Sequence, residues 1–389
     1  MKRIFVNVNM RNESDIVESF CRYNLTFCDG MFIYERASSD NTNEIIRKLI
    51  AEGFPIHLED DPNVVFGSFE VDLYGDMACK AINEYGADLV VHLDTDEFLY
   101  HTDGINPREA LESLREDVEY QIPWRTYVYE KEPDIDLGFL PNNFTHYRNP
   151  ALECHNKAIA SKYLIEKKQA KFAPSATHSL TYPHEYRGSV EIKSPSKLVY
   201  AHFPLRSKAQ LMNKVVPNWI YYWKKPLPVW EGEAFQYGLM WDELKEKGEI
   251  SHDSIVQHCI KYGVPDDHLA KLMPEIENSL TIEGQMDVSF CSEKLGLRYT
   301  DYSEMDRTFL RATLTEVESA VMSLPKREWE TIRLYKELQN ENNALTQQNN
   351  ALTQEISRIH KSKIWKIGKR LKRAFRFLKP FKLKRRQFL

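Results

Sequence analysis

Three acids crowd into four positions in Leu93-Asp94-Thr95-Asp96-Glu97-Phe98. Carboxylates held that closely disfavour joint ionisation unless a cation sits among them. Hard divalent ions such as Mg²⁺ or Mn²⁺ take oxygen ligands of this kind, commonly one or two carboxylates together with a substrate's phosphates. The residues therefore offer a metal-diphosphate site. An ordinary acidic turn after a strand is the other reading they allow. The run Leu89-Val90-Val91-His92-Leu93 just before them is apolar, too short for a helix and preceded by Gly86, so it reads as a buried strand. In open α/β sheets ligands bind outside the carboxyl ends of the strands, which is where these acids stand.

The elements around that strand alternate. Residues 4–8 read as a strand, 15–23 as an amphipathic helix through Ile16, Val17 and Phe20, and 31–34 as a second strand. A small, polar loop follows at residues 35–42, with Asp40 or Thr42 placed to cap a helix over 44–52. Residues 55–58 read as a third strand and 72–85 as a helix leading into the acidic strand. Such alternation predicts an α/β fold with a mostly parallel, doubly wound sheet. Beyond it, 107–115 reads as a helix, 119–129 as an aromatic strand, 139–171 as irregular, and 207–214 as a helix. The aromatic and proline-rich run 217–241 reads as the close of this domain, and 242–330 as a helical extension.

The 389 residues carry a formal net charge of −5 that conceals an asymmetry. All 57 acids lie at or before Glu355, whereas 14 of the 52 Lys and Arg residues fall between Arg358 and Arg386, leaving a body at −19 and a basic tail. Six scattered cysteines lack zinc or redox spacing and fit a reducing compartment, the cytoplasm. No run of about 18 apolar residues indicates a membrane span. Ile4-Phe5-Val6 after Met1-Lys2-Arg3 is shorter than the roughly 7–15 residues of a signal-peptide core. Tyr335, Asn342, Asn349 and Ile356 alternate with Leu338, Leu345, Leu352 and Ile359 at strict seven-residue spacing. These are coiled-coil a and d positions, and Asn at a favours a two-stranded parallel pair, so a homodimer is expected over 331–360. In 361–389, Ile364, Ile367, Leu371, Phe375 and Leu378 recur at helical spacing beside Trp365, with Lys and Arg opposite. An apolar stripe with an aromatic anchor and a cationic face suits an anionic membrane surface better than a nucleic acid.

Three of these elements together resemble a GT-A-fold glycosyltransferase close to glycosyltransferase family 2. They are Arg11-Asn12-Glu13 after the first strand, Ser38-Ser39-Asp40-Asn41-Thr42 after the second, and Asp94-Thr95-Asp96-Glu97-Phe98, a DxD motif in its Asp-x-Asp-Glu-Phe form. His202-Phe203-Pro204-Leu205-Arg206-Ser207 with Lys214 resembles a downstream block of bacterial members. The chain departs from the pattern at the end of the second strand, where Glu35 replaces the usual Asp. The resemblance implies a Rossmann-like GT-A domain over 1–241. It assigns Asp94, Asp96 and His202 to a divalent metal, Mn²⁺ or Mg²⁺, and Arg11, Glu35, Asp40, Asp94, Arg206 and Lys214 to the nucleotide-sugar donor. It leaves Glu97, Glu153 and His178 as candidates for the general base of an inverting transfer. Trp124, Tyr127, Trp219, Tyr222 and Trp223 are candidates for a sugar-stacking wall or for the core. The expected activity is sugar transfer to a glycan or lipid-linked acceptor in bacterial surface polysaccharide synthesis, at the inner face of the cytoplasmic membrane. An inactive GT-A-like scaffold and a metal-dependent nucleotidyltransferase are the alternatives.

Overall fold

The computed structural model describes residues 1–60, 73–133, 138–172, 177–224, 235–276 and 279–322, with only isolated positions beyond. The chain divides into two compact units, Met1–Ser323 and Leu324–Leu389. In the first, β1 (Ile4–Met10), α1 (Val17–Asn24), β2 (Gly30–Glu35), α2 (Thr42–Glu52), β3 (Ile56–Asp60), α3 (Leu73–Asn83) and β4 (Leu89–Leu93) follow one another as the hydrophobic pattern predicts. Next come β5 (Glu97–His101), α4 (Arg108–Ser113), β6 (Val118–Thr126), β7 (His146–Arg148), β8 (Asn156–Ser161), α5 (Lys162–Lys168), β9 (Lys171–Phe172), β10 (Leu180–Thr181), β11 (Glu191–Lys193) and β12 (Leu198–His202). The unit is completed by α6 (Lys208–Lys224), α7 (Phe235–Lys247), α8 (His252–Lys261), α9 (Asp266–Ile276), β13 (Thr281–Glu283) and α10 (Met305–Met322).

The main sheet runs β3-β2-β1-β4-β8-β6-β12-β5, with β11 beside β6. Its first four strands are parallel. β8 is antiparallel to both β4 and β6, and β12 is parallel to β6 but antiparallel to β5. The sheet is thus mixed, with a doubly wound parallel half. β1 is buried on both faces, which is why it reads as almost continuously apolar. Val6 and Val8 pack into the larger core with Ile16, Phe20, Ile45 and Leu49 of the α1/α2 layer. Phe5, on the other face, packs with Val90, Ala78 and Ala81 of the α3 layer. Helix α2 ends at Gly53, whose φ of 100° supplies the left-handed residue that closes a helix.

Two sequence expectations are corrected. Residues 139–171, read as irregular, contain β7, β8 and α5, because β8 (Asn-Lys-Ala-Ile-Ala-Ser) uses small residues of low strand propensity to fit between β4 and β6. The boundary placed at 241/242 falls inside α7, and the described part of 242–330 joins the same compact unit as the sheet. β13 pairs with β7, α10 packs along α6, and all of them belong to the Met1–Ser323 unit. The expected coiled coil (331–360) and basic tail (361–389) lie outside the described residues, apart from isolated positions in the coil.

Candidate functional site

Parallel pairing brings the carboxyl ends of β1, β2 and β4 side by side, with Met10 opposite Glu35 and Val8 opposite Leu93. The loops that leave β1 and β2 are stitched together there. Asn12 N donates to Ser38 Oγ, Ser39 N to Asn12 Oδ1, Glu13 N to Thr42 Oγ1 and Ser14 N to Asp40 Oδ2. Asp40 Oδ1 also accepts from Thr42 N, so this acid ties both loops to the start of α2. Burial pushes its carboxyl above the ordinary range, against those donors. Glu35 is fully buried and accepts from Ser38 N and Asn43 Nδ2. The sequence assigned Arg11, Glu35 and Asp40 to the donor, and the fold gathers them at one edge. There Glu35 and Asp40 act as braces of the loops.

Arg11 and Asn12 meet a partner more than three hundred residues away. Arg11 Nε and Nη2 lie 3.0 and 2.8 Å from Glu316 Oε1, and Asn12 Nδ2 and Ser39 Oγ each lie 3.0 Å from the same oxygen. The Glu316 side chain, from α10, is 1% exposed. Asn12 has a φ of 55°, a strained value for a residue with a side chain, and this carboxylate helps to hold it there. Glu316 was missed at the sequence level. Its signal is an acid among Met305, Phe309, Ala312 and Ala320, the buried stripe of α10.

The acidic turn after β4 sends its carboxylates in different directions. Glu97 N donates to Asp94 O and Asp94 N to Glu97 Oε2, which closes the turn. The Asp94 side chain stays 51% exposed, with Oδ2 2.8 Å from Lys157 Nζ, and the same ammonium lies 2.7 Å from Glu97 Oε2. Glu97 is fully buried and also accepts from Trp124 Nε1 at 2.7 Å. Burial pushes its carboxyl up, with Asp94 and Asp96 adding to the shift and Lys157 opposing it. Burial also disfavours charge on Lys157, but Asp94 and Glu97 outweigh it and keep the ammonium protonated above the usual lysine range.

Asp96 points inward. Its Oδ2 lies 2.7 Å from Lys214 Nζ, 3.8 Å from Arg206 Nη1 and 3.9 Å from His202 Nε2. Burial alone would raise this carboxyl, yet Lys214, His202 and Arg206 hold it well below the usual carboxylate range. β12 delivers His202 by pairing it with Glu97, and Phe203 N then donates to Asp96 O. Burial drives the His202 imidazole well below its ordinary value, against the pull of Asp96, so it is neutral near pH 7. The ring stacks on Trp124 at 4.2 Å.

Other predicted residues take structural places. Arg206, expected as a phosphate clamp, is fully buried. Its donors go to Asp15 at 2.7 and 2.9 Å, to Glu13 at 2.5 Å and to Phe203 O at 3.3 Å. It therefore links the β1 loop to the segment after β12. Glu153, a base candidate, is engaged likewise. It pairs with buried Arg148 and accepts from Thr126 N at 2.6 Å and Thr126 Oγ1 at 3.2 Å. His178, the third base candidate, has one ring nitrogen engaged. Nδ1 lies 2.8 Å from the Asn156 carbonyl, so that nitrogen carries the proton and Nε2 keeps its lone pair. Burial, aided by Lys157, holds the ring below its ordinary value. Trp124 and Tyr127 belong to the core, Trp219 is half-buried, and the side chains of Tyr222 and Trp223 fall outside the described residues.

The loop after α8 completes the wall. Tyr262 covers the Lys214 ammonium at 5.5 Å and meets the His202 ring at 5.6 Å. Gly263 has a φ of 67°, and a Cβ there would come within 3.1 Å of His155 Nε2. The sequence did not single out Tyr262 or Lys157 as site residues, although the Glu153-Cys154-His155-Asn156-Lys157 cluster stood out.

Comparison with solved structures gives matches of low sequence identity. A mannosyltransferase from Pyrobaculum calidifontis, in complex with GDP-Man and Mn²⁺, is 14% identical over 81% of this chain and 87% of its own, with a TM-score of 0.34. Glucosyl-3-phosphoglycerate synthase from Mycobacterium tuberculosis is 16% identical in two complexes. With Mn²⁺, UDP and glucosyl-3-phosphoglycerate the match covers 52% of this chain and 72% of that one, at a TM-score of 0.30. With Mg²⁺ and UDP it covers 57% and 78%, at 0.31. No family model matches the chain, and no match is found among curated proteins.

The donor set at the strand ends fits a divalent ion chemically: two carboxylates and a neutral imidazole. Among the described residues, no three His, Cys, Asp or Glu side chains converge as a ready-made metal cage. The cations now standing at the two carboxylates are Lys157 and Lys214.

Proposed function

We propose that this chain is a metal-dependent glycosyltransferase that moves a sugar from a nucleotide-sugar to a glycan or lipid-linked acceptor, with inversion at the anomeric carbon. One observation carries the reading. At the carboxyl edge of four parallel strands, half-exposed Asp94 and buried Asp96 stand with a neutral imidazole, His202, and two ammonium groups, buried Lys157 and partly buried Lys214. Strand-end acids together with cations are what an anionic diphosphate donor needs.

Asp94, Asp96 and His202 would hold the divalent ion, which supplies Lewis-acid neutralisation of the departing diphosphate. Lys157 and Lys214 keep their charge in the interior and place positive potential where the diphosphate leaves. Trp124 fixes Glu97 through its indole N–H and supports His202 by stacking. Arg11, Glu35 and Asp40 shape the nucleoside end of the site. His178 Nε2 takes the proton of the acceptor hydroxyl as the acceptor oxygen bonds to the anomeric carbon and the bond to the diphosphate breaks. Glu97 and Glu153 serve as braces. The heptads at 331–360 would pair two copies. The basic amphipathic segment at 361–389 would hold them at an anionic membrane surface, where lipid-linked precursors of bacterial surface polysaccharide are met. Among the described residues no helix is long and apolar enough to cross a membrane.

Incubation of the full chain with UDP-, GDP-, dTDP- and CMP-sugars and Mn²⁺ tests the activity. Release of a nucleoside phosphate with sugar incorporation or hydrolysis supports it. Pyrophosphate as the sole product would assign a nucleotidyltransferase, and no metal-dependent turnover of any donor would leave a scaffold.

A further inference from the structure

The two ammonium groups at the acidic turn are held differently. Lys214 Nζ lies 2.7 Å from Asp96 Oδ2 and is anchored a second time by the Pro204 carbonyl at 3.2 Å. Lys157 Nζ bridges two carboxylates, Asp94 Oδ2 at 2.8 Å and Glu97 Oε2 at 2.7 Å, and no backbone carbonyl among the described residues holds it. The two ends of that bridge are unlike. Glu97 is fully buried and fixed by the Trp124 indole, whereas Asp94 is half-exposed, so a solute arriving from water meets the Asp94 end. Beside the bridge stands an orphan. Tyr200 of β12 is fully buried, and its hydroxyl has no hydrogen-bond partner among the described residues. Burial raises that hydroxyl, with Glu97 adding and Lys157 opposing, so both charges act on it. Buried hydroxyls are normally hydrogen-bonded. An ammonium that releases Asp94 keeps Glu97 and supplies Tyr200 with the donor it lacks.

Charge sets the condition for that movement. Lys157 and Lys214 balance Asp94 and Asp96, so a dication arriving alone overcharges the site and is repelled by Lys157. A dication arriving with a nucleoside diphosphate brings compensating negative charge. We propose that Lys157 is a displaceable counter-ion of Asp94, which neutralises it in the absence of metal and withdraws to Glu97 and Tyr200 when metal and diphosphate arrive together. Each of the two ligands is then held well only with the other, a coupling that is reciprocal by linkage. The inference rests on the metal-diphosphate reading of this turn.

Mn²⁺ binding to the full chain, followed by electron paramagnetic resonance of the free ion, separates the two. It is measured with Mn²⁺ alone and with UDP or GDP present. The natural chain should bind Mn²⁺ about tenfold or more tighter with one nucleotide than without. Lys157→Met should bind Mn²⁺ alone about tenfold or more tighter than the natural chain does, and gain correspondingly less from nucleotide. Because that variant leaves Glu97 buried without its ammonium, Lys157→Met/Glu97→Gln, which removes both buried charges, is measured beside it and should behave alike. Tyr200→Phe should shrink the nucleotide-dependent gain of the natural chain by about threefold or more, and no change there would overturn the withdrawal to Tyr200. A nucleotide-dependent gain in the natural chain, with Mn²⁺ alone bound no tighter by either Lys157 variant, would overturn the displacement while leaving the metal-diphosphate site standing. Mn²⁺ bound by none of these proteins, with or without nucleotide, would overturn both.

Discussion

At the residue scale, buried charge decides which acids and bases can act. Arg206 is enclosed with Asp15, Glu13 and Asp96 around it, so Arg206→Leu strands carboxylates in the interior. A loss of about 3–5 kcal/mol in urea unfolding is expected, the usual effect of removing one partner of a buried pair. His178→Gln should lower kcat by about 10²–10³-fold with donor KM unchanged, because it removes a proton acceptor and no donor contact. It should also abolish the acidic limb of the kcat profile. His92 governs acid stability. Burial, with Lys157, depresses its pKa from 6.5 to about 3, so below pH 6.5 the unfolded chain takes up a proton that the native ring refuses. Stability should therefore fall as pH drops from 6.5 towards 3, by at most about 1.4 kcal/mol per pH unit for this one group. His92→Gln should flatten that slope in denaturation curves collected across the range.

At the element scale, the loops after β1 and β2 are tied to α2 and α10 by hydrogen bonds. Glu316→Ala should release Arg11 and the left-handed Asn12, raising donor KM about tenfold while chemistry at the acidic turn is little changed, a split that steady-state kinetics resolves. The parallel half of the sheet was legible because its strands are short apolar runs between polar loops; β4 lies where the run Leu89 to Leu93 placed it. β8 was not, because alanines in Asn156–Ser161 carry no strand signal until β4 and β6 enclose them. That three acids follow β4 was legible from the run Asp94-Thr95-Asp96-Glu97. Their surroundings were less so, since Lys157 reaches Asp94 and Glu97, Tyr262 reaches Lys214 and His202, and Glu316 reaches Arg11 and Asn12 from elements distant in sequence. Arg206 shows the converse: its type and position suggested a phosphate clamp, and only the fold reveals that Asp15 and Glu13 surround it.

At the scale of the whole molecule, an acidic body and a basic carboxyl-terminal segment point to partners of different kinds. Truncation after Glu355 should abolish sedimentation with anionic vesicles and leave soluble donor hydrolysis intact. The central claim is that Asp94 and its neighbours bind a metal with the donor diphosphate. Because Lys157 and Lys214 already balance the acids, the fold should need no ion, and binding should appear only when nucleotide and metal are both present. The direct measurement is calorimetric titration of the full chain with UDP and GDP, with and without Mn²⁺, for the natural sequence and for Asp94→Asn. Metal-dependent heat with one nucleotide, lost or weakened at least tenfold in Asp94→Asn while the melting temperature holds, is the predicted result. Equal binding by the natural chain and Asp94→Asn, or no metal-dependent heat with either nucleotide, would contradict it.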